Sequence, residues 1–257
     1  MITNCAVSSS CNCIKIGTET HGDFQDIVIA NCTFPPRAFQ RQAQAAIAIE
    51  STDGSNIQGI TITNCISRLH KCSIFIQLGN RLRAAEIGQS EPGSIKDIII
   101  SNFIAEGTIW PIILSGFPKK HIENIQISNI RLIFRSEHDI NYISWHSLKD
   151  LFECEKSDAK YPDPEVFGGF PARILFMRNC SEISITNFSV CIEKFMEVPL
   201  IPLIGLYYCK NLHIAGRISE RAGKVILKEM QQREESIEVF NSKNVETAIT
   251  IRNLDSE

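Results

Sequence analysis

One recurring phrase limits what this chain can fold into more than any other feature. "ITNCAVS" (2–8), "IVIANCTF" (27–34), "ITITNCIS" (60–67), "IIISNFIA" (98–105), "IQISNIRL" (125–132) and "ISITNFSV" (183–190) each set alternating β-branched residues before an asparagine and an apolar residue after it. The asparagines are Asn4, Asn31, Asn64, Asn102, Asn129 and Asn187, at intervals of 27, 33, 38, 27 and 58 residues. The last interval spans either two units or one unit with a long insertion, and "NLHIAG" (211–216) is a weaker copy. An offset of 33 lays Ile14-Lys15-Ile16 on Ile47-Ala48-Ile49, Phe24 on Ile57, Asp26 on Gly59 and Asn31-Cys32 on Asn64-Cys65. Each unit therefore holds at least two short strands joined by polar or glycine-bearing corners.

Strands at this pitch, without a long helical pattern, predict an all-β solenoid: a parallel β-helix of stacked coils. Coils about 4.8 Å apart bring equivalent residues into ladders. An asparagine at one corner then bonds its own turn and its neighbours above and below, so the asparagine column reads as structural. Cys5, Cys32 and Cys65 follow their asparagines and form an inward row, whose spacing would also permit a disulfide. The chain reads as a single β-helix domain over 1–257, with loop insertions at 80–94 and 133–171 and an irregular C-terminal cap over 217–257. Insertions in a solenoid commonly wall a binding groove, and a cap covers the otherwise unpaired last coil.

Composition narrows the function classes. The net charge is −3, from 26 basic and 29 acidic residues, which gives no electrostatic footprint for nucleic acid or an anionic membrane. No apolar run approaches a membrane span. The ten cysteines are scattered without CxxC or zinc-like Cys/His spacing, so no metal is expected. There is no phosphate loop or EF-hand motif, and no cofactor is expected. The start, "MITNCAVSSS", carries no signal-peptide pattern and enters directly on a strand. This suggests a shortened form of a longer protein, whose exposed coil edge would allow self-association into a homo-oligomer.

The coils "CIKIGTETHGDFQDIVIANC", "AIAIESTDGSNIQGITITNC" and "SIFIQLGNR" resemble the right-handed parallel β-helix of polygalacturonase-like proteins, glycoside hydrolase family 28 of the pectin-lyase-like superfamily. The resemblance covers residues 1–132 well and 170–216 loosely. It implies hydrolysis of a glycosidic bond in a plant-type polysaccharide or oligosaccharide, and secretion or a periplasmic location. The family's Asn-Thr-Asp and paired-aspartate blocks would precede Met1. Its Gly-His-Gly block corresponds to Cys11-Asn12-Cys13, so Asn12 stands at the histidine. Its Arg-Ile-Lys block corresponds to Ala48-Ile49-Glu50, so the cations that hold a substrate carboxylate are absent. A glutamate in place of lysine suits a neutral glycan better than a sugar acid. Lyases of the superfamily hold calcium on clustered aspartates, and no such cluster is present.

Glycoside hydrolysis needs two carboxyl groups, about 5–5.5 Å apart for retention or about 6.5–9.5 Å for inversion, and neighbouring coils reach such spacings. The candidate catalytic residues are Glu50, Glu19 and Asp53, with Glu19 paired to Glu50 or Asp53. The candidate substrate-binding residues are Lys15, His21, Gln77, Asn80 and Arg81. Each has a plainer reading: Glu19, His21, Asp23 and Asp53 also suit turns beside glycine, and Arg81 could cap the insertion that it opens. Trp145, His146, Tyr161 and Phe167 could stack on sugar faces or form a small core within the long insertion. Two rival functions remain: a non-catalytic or vestigial glycan-binding module, and a structural β-helix.

Overall fold

The structure of the protein, a computed structural model, describes residues 1–36, 43–81, 91–118, 120–135, 142–145, 161–193, 201–220 and 237–253. Two long parallel sheets make up almost all of it. Sheet A is ordered β1 (Ile2–Thr3), β3 (Phe24–Ala30), β6 (Asn56–Arg68), β8 (Ser94–Thr108), β10 (Ile122–Phe134), β12 (Cys180–Ile192), β14 (Lys210–Glu220) and β16 (Lys243–Asn253), with β4 (Thr33–Phe34) also beside β6. Sheet B is ordered β2 (Asn12–Ile16), β5 (Ala45–Ser51), β7 (Cys72–Leu78), β9 (Ile112–Ser115), β11 (Leu175–Arg178), β13 (Ile204–Tyr207) and β15 (Ile237–Phe240). Apart from β3 and β4, which both lie in sheet A, the chain alternates between the sheets from β2 onward and each strand pairs in parallel with its equivalent one coil away, which defines a parallel β-helix.

The register follows the offsets in the sequence. Ile14, Ile47 and Ile74 stack on one rung position, and Ile16, Ile49 and Ile76 on another. With their counterparts in sheet A, these isoleucines fill one continuous apolar interior. The long sheet A strands bend at residues held in the left-handed region, and asparagine tolerates that conformation better than other non-glycine residues. Asn31, Asn64, Asn102, Asn129 and Asn187 have φ between 48° and 56°. From Asn64 on, each donates from Nδ2 to Oδ1 of the one before it, at 3.2, 3.1, 3.0 and 2.8 Å along the series. The asparagine column is thus a scaffold ladder. The interval of 58 is one coil with an insertion, because Ile125 pairs directly with Ile183.

Cys32 and Cys65 point into the core as expected, and each thiol donates to the carbonyl two residues earlier. Cys5 makes the same local bond but is exposed, and every described cysteine is a free thiol. Leu212 and Ile214 pair with Ile183 and Ile185, so "NLHIAG" is a weaker copy of the asparagine phrase that lacks the bend asparagine. Its own Asn211 lies in a second left-handed column, where it donates to Glu182 and accepts from Asn244. One expectation needs correction: 217–257 is not irregular where described, since β14 continues to Glu220 and β15 and β16 add a regular coil. Its charged residues suit it because this coil is largely exposed, with Ile237, Val245, Ile249 and Ile251 packed on the core. Residues 82–90, most of the first insertion, lie outside the described residues.

Candidate functional site

The two faces of sheet B differ sharply. The inward face is aliphatic, whereas outward positions carry Lys15, Ala48, Phe75, Ile113 and Phe176 on one rung position. The next outward position carries Glu50, Gln77, Ser115, Arg178 and Tyr207. Over most of this face the described parts of the long insertion, 142–145 and 161–170, lie as an apolar cover. Phe167 meets Phe75 and Phe176 edge-on with centroids 6.2 and 5.8 Å apart, and Trp145 stacks on Tyr207 at 4.0 Å. Trp145 and Phe167 are each 2 % exposed, so they form a second core against the sheet instead of a sugar platform. Tyr161 remains exposed, and His146 lies outside the described residues.

At the β2 end of the face the cover is polar. Lys15 Nζ sits 2.9 Å from Glu50 Oε2, 3.9 Å from Asp163 Oδ1 and 4.3 Å from the centre of the Tyr161 ring. Asp163 Oδ1 also accepts from Asn12 Nδ2 at 3.3 Å, while Asn12 Oδ1 accepts from the Ala45 amide. Asn12 therefore ties two coils and the insertion together. Glu50 is wholly buried, and its contact with Lys15 is too oblique for a hydrogen bond, so neither carboxylate oxygen has a hydrogen-bond partner among the described groups. Burial raises the Glu50 pKa to about 7, against the opposing pull of Lys15. Its register neighbour Gln77 has an equally unpartnered, buried Oε1.

Local backbone brings the next coil close. Gly17, at φ 95°, passes so near Glu50 that any side chain there would collide with the Glu50 carbonyl. The corner that follows gathers four of the predicted residues. Arg81 Nε donates to Asp53 Oδ1 at 2.9 Å and its Nη2 donates to Asp53 Oδ2, a bidentate pair in which both side chains are buried. Glu19 Oε1 lies 3.8 Å from Arg81 Nη1 with 60 % of its side chain exposed, and the His21 ring nitrogen Nδ1 donates to the Asp53 carbonyl at 3.1 Å. Asn80 is half-buried just before Arg81. Asp23 is occupied in structure, accepting from the Asn56 amide and side chain on the next coil.

The expected pairing of Glu19 with Asp53 is thus replaced by a shared arginine: Asp53 has both oxygens committed to Arg81 and is not free to act on a substrate. The carboxyl group that instead approaches Glu50 through a common partner is Asp163, which sequence reasoning missed. It lies in "YPDPEVF", just before a single 3₁₀ turn (Pro164–Phe167), and its partner Asn12 is 151 residues away. Only the paired prolines hinted at an ordered corner.

A second polar cluster lies inside the coil: Cys13 Sγ is 3.1 Å from His70 Nε2, and Ser67 Oγ is 2.9 Å from His70 Nδ1. Burial pushes the Cys13 thiol up to about 11 and the His70 imidazole down to about 4. This is a neutral, inert relay, the opposite of an activated thiolate beside imidazolium. Among the described residues no group of three or more His, Cys, Asp or Glu could hold a metal ion. No family model, curated protein or solved structure matches the chain.

Proposed function

We propose that the protein is a carbohydrate-active β-helix that hydrolyses a glycosidic bond at the Lys15–Glu50–Asp163 site. The observation that carries this reading is a proton-holding carboxyl beside a second one. Both contact the same ammonium, so Glu50 and Asp163 oxygens lie within about 7 Å of each other, which admits either glycosidase spacing. At neutral pH, Glu50 with a pKa of about 7 retains a proton in about half the molecules. It would donate that proton to the leaving oxygen, while Asp163 on the insertion would serve as base or nucleophile. Lys15 would orient both groups, and Glu19, His21 and Arg81 would line the approach. The repeat's resemblance to polygalacturonase-like hydrolases supports the same class, while Ala48 and Glu50 favour a neutral glycan over a sugar acid.

The test is release of reducing ends from arabinan, xylan and pectic oligosaccharides. Glu50→Gln and Asp163→Asn should each lower the rate by at least about a hundredfold, and the wild-type rate should fall as pH rises through about 7, where Glu50 loses its proton. Turnover untouched by either variant would overturn the assignment. The second reading, a glycan-binding module without turnover, is favoured by the complete burial of Glu50. Saturable oligosaccharide binding with no reducing ends released would establish it.

A further inference from the structure

Sheet A carries its own cavity, on a face unconnected with Glu50. It is a half-open groove of about 500 Å³ over the strand segments that follow the asparagine bend in β10 and β12 and over the register-matched part of β14, a volume typical of small-molecule sites. Arg131, Ser189 and Arg217 occupy one register position on these three successive coils. The two arginines therefore stand two rungs of about 4.8 Å apart, with a hydroxyl between them. Arg217 is exposed, and its Nε donates to Ser189 Oγ at 3.1 Å, one rung toward Arg131.

The neighbouring cations show what is unusual. Arg68 pairs with Glu106 at 3.5 Å, and Arg135 pairs with Glu193 at 3.5 Å. Arg131 and Arg217 have no acidic partner among the described residues, although both line the cavity. Two guanidiniums on either side of one hydroxyl, with no acidic partner among the described residues, favour an oxyanion, which each can grip through paired N–H donors. The remaining lining is mixed, with Ile130, Leu132 and Ile218 beside Asn129, Asn187 and Ser219, and it lacks any aromatic plate.

We propose that this groove binds a small anion, with its carboxylate or phosphate held over Ser189 between Arg131 and Arg217. The site is independent of the glycan reading, since it shares no residue with the Glu50 cluster. The experiment is calorimetric titration of the full chain with glucuronate, glucose 6-phosphate and inorganic phosphate, with glucose as the neutral control. At least one anion should bind saturably while glucose does not, and the preferred arm tells carboxylate from phosphate ester. Arg131→Gln and Arg217→Gln should each weaken that binding about tenfold or more, whereas Arg68→Gln, which removes an equally exposed but paired cation, should leave it unchanged. Absence of saturable binding by all three anions to folded protein would overturn the proposal. So would affinity that survives both cavity substitutions, or that falls equally in Arg68→Gln.

Discussion

Two corners of the same solenoid handle polar groups in opposite ways. At the asparagine bend five successive rungs, from Asn31 to Asn187, repeat one residue, and each side-chain amide is bonded to its neighbours. At the corner after β2, β5 and β7 no residue type repeats, and buried charges meet at unequal quality. Asp53 and Arg81 form a bidentate pair, yet Glu50, three residues earlier, is buried with no hydrogen bond to either oxygen. A scaffold ladder gains from repetition, because identical groups satisfy each other at every step. A chemical site gains from the reverse, since a carboxyl left unsatisfied has a displaced pKa.

The comparison breaks hardest at Arg81. Removing the charge of Asp53 leaves a guanidinium in a site where it is only 4 % exposed. A buried ion stripped of its partner costs about 3–5 kcal/mol. Asp53→Asn should therefore lower the urea midpoint by a matching amount, and it should loosen the Gly17–Gly22 corner that Arg81 and His21 hold together. Glu19→Gln removes a contact at 3.8 Å from a side chain that is mostly in water, and it should leave stability nearly unchanged. Equal losses in the two variants would mean that the corner does not depend on the buried pair.

Glu50 provides the next largest effect, with the opposite sign and a pH signature. Its folded-state pKa of about 7 lies above the ordinary 4.5. Below pH 4.5 both states hold the proton and the residue carries no penalty. Between pH 4.5 and 7 the unfolded chain ionises first, so native stability falls as pH rises, and above 7 the penalty levels off. The shift corresponds to about 3 kcal/mol. Glu50→Gln cannot ionise, so its stability relative to wild type should improve by up to that amount between pH 4.5 and 8. Unfolding curves of both proteins at several pH values give the difference directly, and the contribution of His70 cancels because both carry it. A flat difference would mean that Glu50 is satisfied by groups other than Lys15.

The two corners also differed in how much could be read from the chain alone. The asparagine ladder was legible because a solenoid writes its geometry as a period: the offset of 33 placed Ile14 on Ile47 and Asn31 on Asn64, and the strands pair that way. The location of the polar corner was legible for the same reason, since Lys15, Glu50, Gln77 and Arg81 follow from register. Its chemistry was not. Whether Asp53 faces a substrate or an arginine depends on side-chain directions at a non-repeating turn. Asp163 and the aromatic cover come from an insertion with no period at all, so their contact with β2 and β5 left no pattern in the sequence. The basic strip on sheet A escaped notice for a different reason: Arg131 and Arg217 look like ordinary outward strand residues until the register sets them on either side of Ser189.

The finest test sharpens the ladder side of the comparison by separating backbone from side chain. Asn64 has φ 53° and makes two rung bonds, donating to Asn31 and receiving from Asn102. Asn64→Ala loses both bonds and also forces a Cβ residue into the left-handed region, for a combined cost of about 2 kcal/mol. Asn64→Gly loses the bonds but adopts the conformation freely, so it should cost about 1 kcal/mol because the lost amide is exposed to water. Asn187 ends the run and makes a single rung bond, to Asn129. Asn187→Gly should therefore cost about half as much as Asn64→Gly. Thermal unfolding of the three variants would rank them in that order if rungs contribute individually. Equal losses for Asn64→Gly and Asn187→Gly would instead show that the left-handed bend, which both retain, carries the stability, and that the hydrogen bonds merely decorate it.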